Sequence, residues 1–321
     1  MSSICPEPGG AAGQTRIIAH RGACGYLPEH TAAAKVYAYG LGADFIEQDV
    51  VATADGELVV LHDIYLDNVS DVAAQYPGRH RDDGHYYVID FTWAELGALT
   101  LMERRRPGSD EPTFPGRFPF RLPAFSISRL EDEIRLIAGL NTTTGRRVGI
   151  YPEIKDPAWH RKAGIDLTAL MHEALVANFE LISGPVYVQC FDADELKRLK
   201  SEFDTSFPLV QLLAREDALR LERDAGARRR VAEYAVAVGL PFGTLIKPGL
   251  IAGRPVATGL AGCLRDAGLL LHPYTLRRDV RPEGEADYSA TLEFLIHDLE
   301  VDALFCDHPD DALAVRDCSG A

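Results

Sequence analysis

Short apolar runs recur near residues 17–21, 45–51, 148–154, 186–190, 208–213, 233–238, 269–273 and 302–306, each of strand length. Amphipathic stretches separate most of them. Leu130, Ile134 and Ile137 share one face of a helix predicted over 129–140. Another helix starts at Asp192, with Glu195 three residues on as a capping box. Leu196, Leu199 and Phe203 then recur at helical spacing. Alternating strands and helices predict a parallel sheet. Eight such units predict an α/β protein with a closed (β/α)8 TIM barrel, its active site at the C-terminal ends of the strands. The structural alternative is an open doubly wound sheet, and no GxGxxG turn supports it.

One stretch breaks the rhythm. Residues 64–125 hold no clear long helix and many turn residues, among them Pro107, Pro112, Pro115, Pro119 and Pro123. A connection of that length is usually functional or a small subdomain. It reads as an insertion after the second strand, with one short helix marked by Thr92 and Glu95. The expected organisation is a disordered tail over 1–15, a barrel over 16–63 and 126–316, and an inserted cap subdomain over 64–125.

Composition narrows the function. The 321 residues carry a formal charge of −15, which argues against nucleic-acid partners and against stable attachment to anionic membranes. No apolar run approaches the ~20 residues that span a bilayer. The start, MSSICPEPGGAAGQTR, lacks the apolar core of a secretion signal, so a cytoplasmic location is expected. A periplasmic location is the alternative if a leader was removed. The six cysteines form no CxxC pair, so neither a disulfide framework nor a zinc site is expected.

Candidate chemistry gathers at the predicted strand ends. Ile17–Ile18–Ala19 leads directly into His20 and Arg21, with Gly22 and Gly25 behind. A histidine moves protons near neutral pH, and an arginine grips phosphate with a planar fork. In DFIEQDVV, Glu47 and Asp49 stand two apart and share a strand face with Phe45. In VGIYPEIK, Glu153 and Lys155 do the same. Three carboxylates without cysteine suit a hard divalent cation, Ca²⁺ or Mg²⁺. Lys155 either holds a phosphate oxygen or pairs with Glu153. The Asp55–Gly56 turn makes a hairpin whose returning strand ends at His62 and Asp63. His20 and His62 suit the giving and taking of protons in a displacement at phosphorus. His80, His85, His160, His172 and His297 read as solvated, and His272 as structural packing.

These residues carry a family resemblance. AHRGACGYLPEHT, FIEQDVVATADGELVVLHD, YLDNVSDVA, PGRFP, GIYPEIK, VQCFDADELKR and LHPYTLR resemble the glycerophosphodiester phosphodiesterase family, nearest to its periplasmic GlpQ-like branch, from residue 16 to about 316. The resemblance implies a TIM barrel with an inserted subdomain. It implies hydrolysis of glycerophosphodiesters, such as glycerophosphocholine, to sn-glycerol 3-phosphate and an alcohol. It places Glu47, Asp49 and Glu153 on one divalent cation, with Ca²⁺ favoured and Mg²⁺ possible. It makes His20 and His62 the acid–base pair and puts Arg21 and Lys155 on phosphate. Phe191 and Tyr274 match positions that line a glycerol pocket. The chain departs from many relatives in having Tyr274 for tryptophan, Arg277 for asparagine and Cys24 for serine. Which histidine is acid, and whether water or the glycerol 2-hydroxyl attacks, stay open.

Overall fold

The computed structural model describes residues 14–119, 122, 124–249, 254–280 and 287–318. Most of the tail expected over 1–15, and residues 120, 121 and 123 of the expected insertion, lie outside the described residues. Among the described residues there are eleven strands: β1 Arg16–Ala19, β2 Phe45–Ala52, β3 Leu58–Val60, β4 Gly149–Ile154, β5 Val188–Cys190, β6 Leu209–Leu212, β7 Ala237–Pro241, β8 Ile246–Pro248, β9 Pro255–Ala257, β10 Leu270–Tyr274 and β11 Ala303–Cys306. Eight of them are the parallel strands of a nearly closed (β/α)8 barrel. The chain divides into two compact units, one of residues 1–20, 41–45 and 185–321, the other of 21–40 and 46–184.

The first unit holds β5, β6, β7 and β10 in consecutive parallel pairing, with Val188 opposite Leu209, Val210 opposite Ala237 and Leu271 opposite Val238. The Asp302 amide then bonds the Leu271 carbonyl at 3.0 Å, and β11 pairs in parallel with β1, Ile17 facing Leu304. Strands covered on both faces read as continuous apolar runs. Accordingly Ile17, Val238, Leu240, Leu271 and Leu304 are all fully buried in one core. Asp192 caps the helix Ala193–Ser201 by accepting the Asp194 amide, and Leu196 and Leu199 face inward.

One expectation for this unit needs correction. The strand expected over 233–238 lies at 237–241, because the helix Ala225–Ala232, capped by Asp224, runs up to it. The alanine-rich join AEYAVAV fits either state by apolarity alone. The antiparallel hairpin of β8 and β9 was not anticipated.

In the second unit β2 and β4 are hydrogen-bonded neighbours, and β3 returns antiparallel to β2. The return passes through Gly56 at φ +81°, which favours glycine. Leu130, Ile134 and Ile137 are buried on the helix Leu130–Thr144. His160 is buried rather than solvated: its Nδ1–H donates to the Asp156 carbonyl at 3.0 Å and its Nε2 accepts the Ala52 amide at 3.2 Å. Those bonds satisfy both ring nitrogens, so the polar stretch WHRK misleads about burial.

Residues 64–125 form no helix longer than four residues among those described. Thr92 and Glu95 make the reciprocal capping box that their spacing predicts. Leu66, Phe91, Leu96, Leu99 and Leu101 form an apolar cluster continuous with Val51 and Val59 of β2 and β3. The segment is therefore tied to the second strand by burial as well as by chain connection. Leu101→Ala removes a side chain only 1% exposed from that cluster. It should cost roughly 2–5 kcal/mol of stability. Urea unfolding would check this, and a loss below about 1 kcal/mol would mean the cluster is loosely packed.

Candidate active site

β2 turns Glu47 and Asp49 to one side, and β4 brings Glu153 beside them. Oxygens of the three carboxylates lie within 4.8 Å of one another. Their relative exposures of 4%, 1% and 6% exclude a solvated strand end. Glu47 Oε2 accepts the Arg21 amide at 2.8 Å. Asp49 Oδ2 accepts from His30 Nε2 at 2.8 Å, while the buried Asp49 Oδ1 has no hydrogen-bond partner. Lys155 Nζ lies 2.9 Å from Glu153 Oε1.

Electrostatics separates Glu153 from Asp49. Burial, then repulsion from Asp49 and Glu47, pushes the Glu153 carboxyl up against the pull of Lys155. Burial would also raise Asp49, but Lys155 and His30 hold it well below the usual carboxylate range. A carboxyl pushed toward its protonated form beside one held ionised is a repulsion that a divalent cation would relieve. Three oxygen donors and the unpartnered Asp49 Oδ1 fit a hard cation.

The turn after β1 shapes the neighbouring groups. Arg21 has φ +54° and His30 φ +59°, both in a region L-residues rarely occupy. Gly22, at φ +87°, leaves no alternative residue: a Cβ there would lie 2.8 Å from the Ala34 carbonyl carbon. Arg21 Nη1 donates to Glu29 Oε2 at 2.9 Å, and its buried Nε lacks a hydrogen-bond partner, 3.5 Å from Asp49 Oδ2.

His30 and Lys35, both fully buried, stand behind the carboxylates. Lys35 Nζ donates to His30 Nδ1 at 3.1 Å, which fixes the tautomer whose Nε2–H reaches Asp49. Lys35 also donates to the Glu47 carbonyl and sits 3.3 Å from Glu133. Burial, then Lys35, lowers His30 to about 3, so it stays neutral. Burial raises Glu133 to about 7.

His62 follows β3. Its Nδ1–H donates to Asp63 Oδ1 at 2.5 Å, and Asp63 Oδ2 accepts from Arg104 at 2.6 Å. Burial, then the cations Arg21 and Lys155, lowers His62 to about 4. With Nδ1 committed, Nε2 is left to accept a proton at neutral pH. His20, in the first unit, repeats the design. Its Nδ1 lies 2.7 Å from Asp307 Oδ1, and Asp307 Oδ2 accepts from Arg277 Nε at 3.0 Å. In the same unit the rings of Phe191 and Tyr274 meet edge-on at 6.3 Å, and the Tyr274 hydroxyl donates to the Leu213 carbonyl at 2.7 Å. His272 is buried edge-on to Tyr187, as packing predicts.

The second unit thus brings together Glu47, Asp49, Glu153, Arg21, Lys155 and His62. The first holds His20 with Asp307, and Phe191 with Tyr274. Sequence reading missed the supporting groups Glu29, His30, Lys35, Arg104, Glu133 and Asp307. Arg104 meets Glu29 75 residues back and Asp307 meets His20 287 residues back, so the local sequence carried little signal for them.

A (β/α)8 barrel with this set of carboxylates, cations and oriented histidines belongs to the class of phosphoric diester hydrolases. The model of the "Glycerophosphoryl diester phosphodiesterase family" matches residues 20–311, and the chain belongs to that family. It is an enzyme that hydrolyses glycerophosphodiesters. A glycerophosphodiester phosphodiesterase of Haemophilus influenzae is 39% identical over 322 residues, covering 92% of this chain and 87% of its own. A crystal structure described as a putative member from Silicibacter pomeroyi aligns with TM-score 0.73 at 22% identity, covering 98% of this chain and 96% of that one. A phosphodiesterase from Oleispira antarctica, solved with the product sn-glycerol-3-phosphate, aligns with TM-score 0.64 at 18% identity, covering 95% and 97%.

A pH dependence of stability follows from the buried histidines. Burial lowers His272 from 6.5 to about 3 in the fold. As pH falls below 6.5 the unfolded chain takes up that proton and the native state does not, so stability falls. The slope per such histidine approaches about 1.4 kcal/mol per pH unit. Urea unfolding of wild type and His272→Leu between pH 6.5 and 5 should show the shallower slope in the variant. Equal slopes would mean that His272 is protonated in the native state.

Proposed function

We propose that the enzyme uses one divalent cation, held by Glu47, Asp49 and Glu153, to hydrolyse glycerophosphodiesters such as glycerophosphocholine to sn-glycerol 3-phosphate and an alcohol. The observation that carries this reading is the buried carboxylate trio with its unpartnered Asp49 oxygen. When bound, such a cation polarises a phosphoryl oxygen and offsets developing negative charge. Arg21 and Lys155 supply further positive charge for phosphate. The Nε2 atoms of His20 and His62 move the protons, one taking from the nucleophile and one giving to the leaving alcohol. Phe191 and Tyr274 line the glycerol side. Calcium as the preferred ion follows from the GlpQ-like resemblance of AHRGACGYLPEHT and YLDNVSDVA.

Residues 64–125 act in this reading as a cap that admits a small alcohol and rejects two acyl chains. The segment begins directly after His62–Asp63, and its apolar cluster holds it on β2 and β3. Wild type should cleave glycerophosphocholine far faster than intact diacyl phospholipid when the two are assayed side by side. Equal rates would remove the selective role.

Chelation tests the metal. EDTA-treated protein should lose glycerophosphocholine hydrolysis and regain it with Ca²⁺, and Mg²⁺ tests the alternative. Full activity without metal would overturn the proposal. His20→Ala and His62→Ala should each lower kcat by roughly 10²–10⁴-fold, the usual worth of a positioned acid or base. The double variant should lose less than the product of those factors, because the pair acts as a unit.

A further inference from the structure

Three consecutive arginines in the inserted segment have different fates. Arg106 is exposed. Arg105 donates to the backbone carbonyls of Asp67 and Ser70, which ties the segment to itself. Arg104 reaches out of the segment to two acids that touch the proposed machinery. Its Nη1 donates to Asp63 Oδ2 at 2.6 Å, and Asp63 Oδ1 holds His62 Nδ1. Its Nε and Nη2 grip Glu29 in a two-bond fork, 2.9 Å to Oε2 and 2.5 Å to Oε1. Glu29 Oε2 also receives Arg21 Nη1.

We propose that Arg104 is a positioning residue for the diesterase reaction: one guanidinium sets both the His62 imidazole, through Asp63, and the Arg21 guanidinium, through Glu29. This rests on the roles proposed above for His62 and Arg21. The residue acts through its partners Asp63 and Glu29. A planar fork with fixed donors suits such a joint, whereas an ammonium cannot span two carboxylates with the same three bonds. Arg104 side-chain exposure is 14%, and those of Glu29 and Asp63 are 11% and 15%, so solvent screens these pairs little. Loss of the guanidinium would leave Glu29 and Asp63 with surplus buried charge. Asp63 could then turn from His62, and Glu29 could draw Arg21 away from phosphate. The insertion thereby contributes an orienting group to the reaction as well as a covering.

Arg277 provides a comparison. It serves Asp307 and His20 in the first unit as Arg104 serves Asp63 and His62, with its Nε donating to Asp307 Oδ2 at 3.0 Å. The second acid on Arg104, Glu29, links proton transfer to phosphate binding. Two kinetic constants should therefore respond to one substitution. Loss through Asp63 lowers kcat, and loss through Glu29 raises KM.

The test uses the full-length, metal-loaded enzyme with glycerophosphocholine as substrate. Arg104→Ala and Arg104→Lys should each lower kcat by roughly 10–10²-fold and raise KM several-fold, with added guanidinium restoring part of the Ala loss. Arg106→Ala should behave as wild type. Circular dichroism and the thermal midpoint confirm that each compared variant is folded. In a His62→Ala background, Arg104→Ala should lower kcat by much less than it does in wild type, because its route through Asp63 is already gone. Wild-type kinetics in folded Arg104→Ala would overturn the proposal. So would full activity in Arg104→Lys, or an undiminished kcat loss in the His62→Ala background. If His62→Ala alone keeps normal turnover, the proposed role of His62 fails, a result visible without any change at Arg104.

Discussion

Three carboxylates buried within 4.8 Å of one another set the terms for everything around them. At that separation two unit charges repel by roughly 3–4 kcal/mol at an effective dielectric of about 20. The fold tolerates the cluster through its surroundings. Lys155 pairs with Glu153, the Arg21 amide with Glu47 and neutral His30 with Asp49. Lys35, fully buried, braces both His30 and the backbone of Glu47. Breaking such a network at one partner leaves an uncompensated buried charge, which is far costlier than any exposed pair is worth. The strained φ angles at Arg21 and His30 are part of the same arrangement, since each residue delivers a donor to a carboxylate of the trio.

The histidines show a second, repeated device. Each presents Nδ1 to an aspartate that is itself held by an arginine: His20 through Asp307 and Arg277, His62 through Asp63 and Arg104. The carboxylate fixes the ring orientation through Nδ1. The arginine limits how far the aspartate can turn. One of these arginines, Arg104, comes from residues 64–125, so the stretch that interrupts the barrel rhythm also holds a group beside His62.

Much of this was legible in the chain, and the reasons are local. Period-two alternation put Glu47 with Asp49 and Glu153 with Lys155, because a strand face repeats every second residue. The Asp55–Gly56 turn delivered His62 to a strand end. What escaped depends on closures between distant residues. His20 finds its carboxylate 287 residues away at Asp307, and Arg104 finds Glu29 75 residues back. Nothing in the immediate neighbourhood of either residue marks those pairings. His160 misled because a polar tetrapeptide conceals a ring whose two nitrogens are both satisfied by backbone. The strand near 237 was placed too early because its flanking alanines suit a helix end equally well.

Calorimetric titration of metal-free protein with Ca²⁺, in two buffers of different ionisation enthalpy, asks whether the carboxylate trio is a cation site. The account predicts one saturable site per chain, lost in Asp49→Asn. It also predicts proton release on binding near neutral pH, because burial and like charge keep Glu153 protonated until a cation arrives. No saturable binding, or binding unchanged in Asp49→Asn, would contradict it.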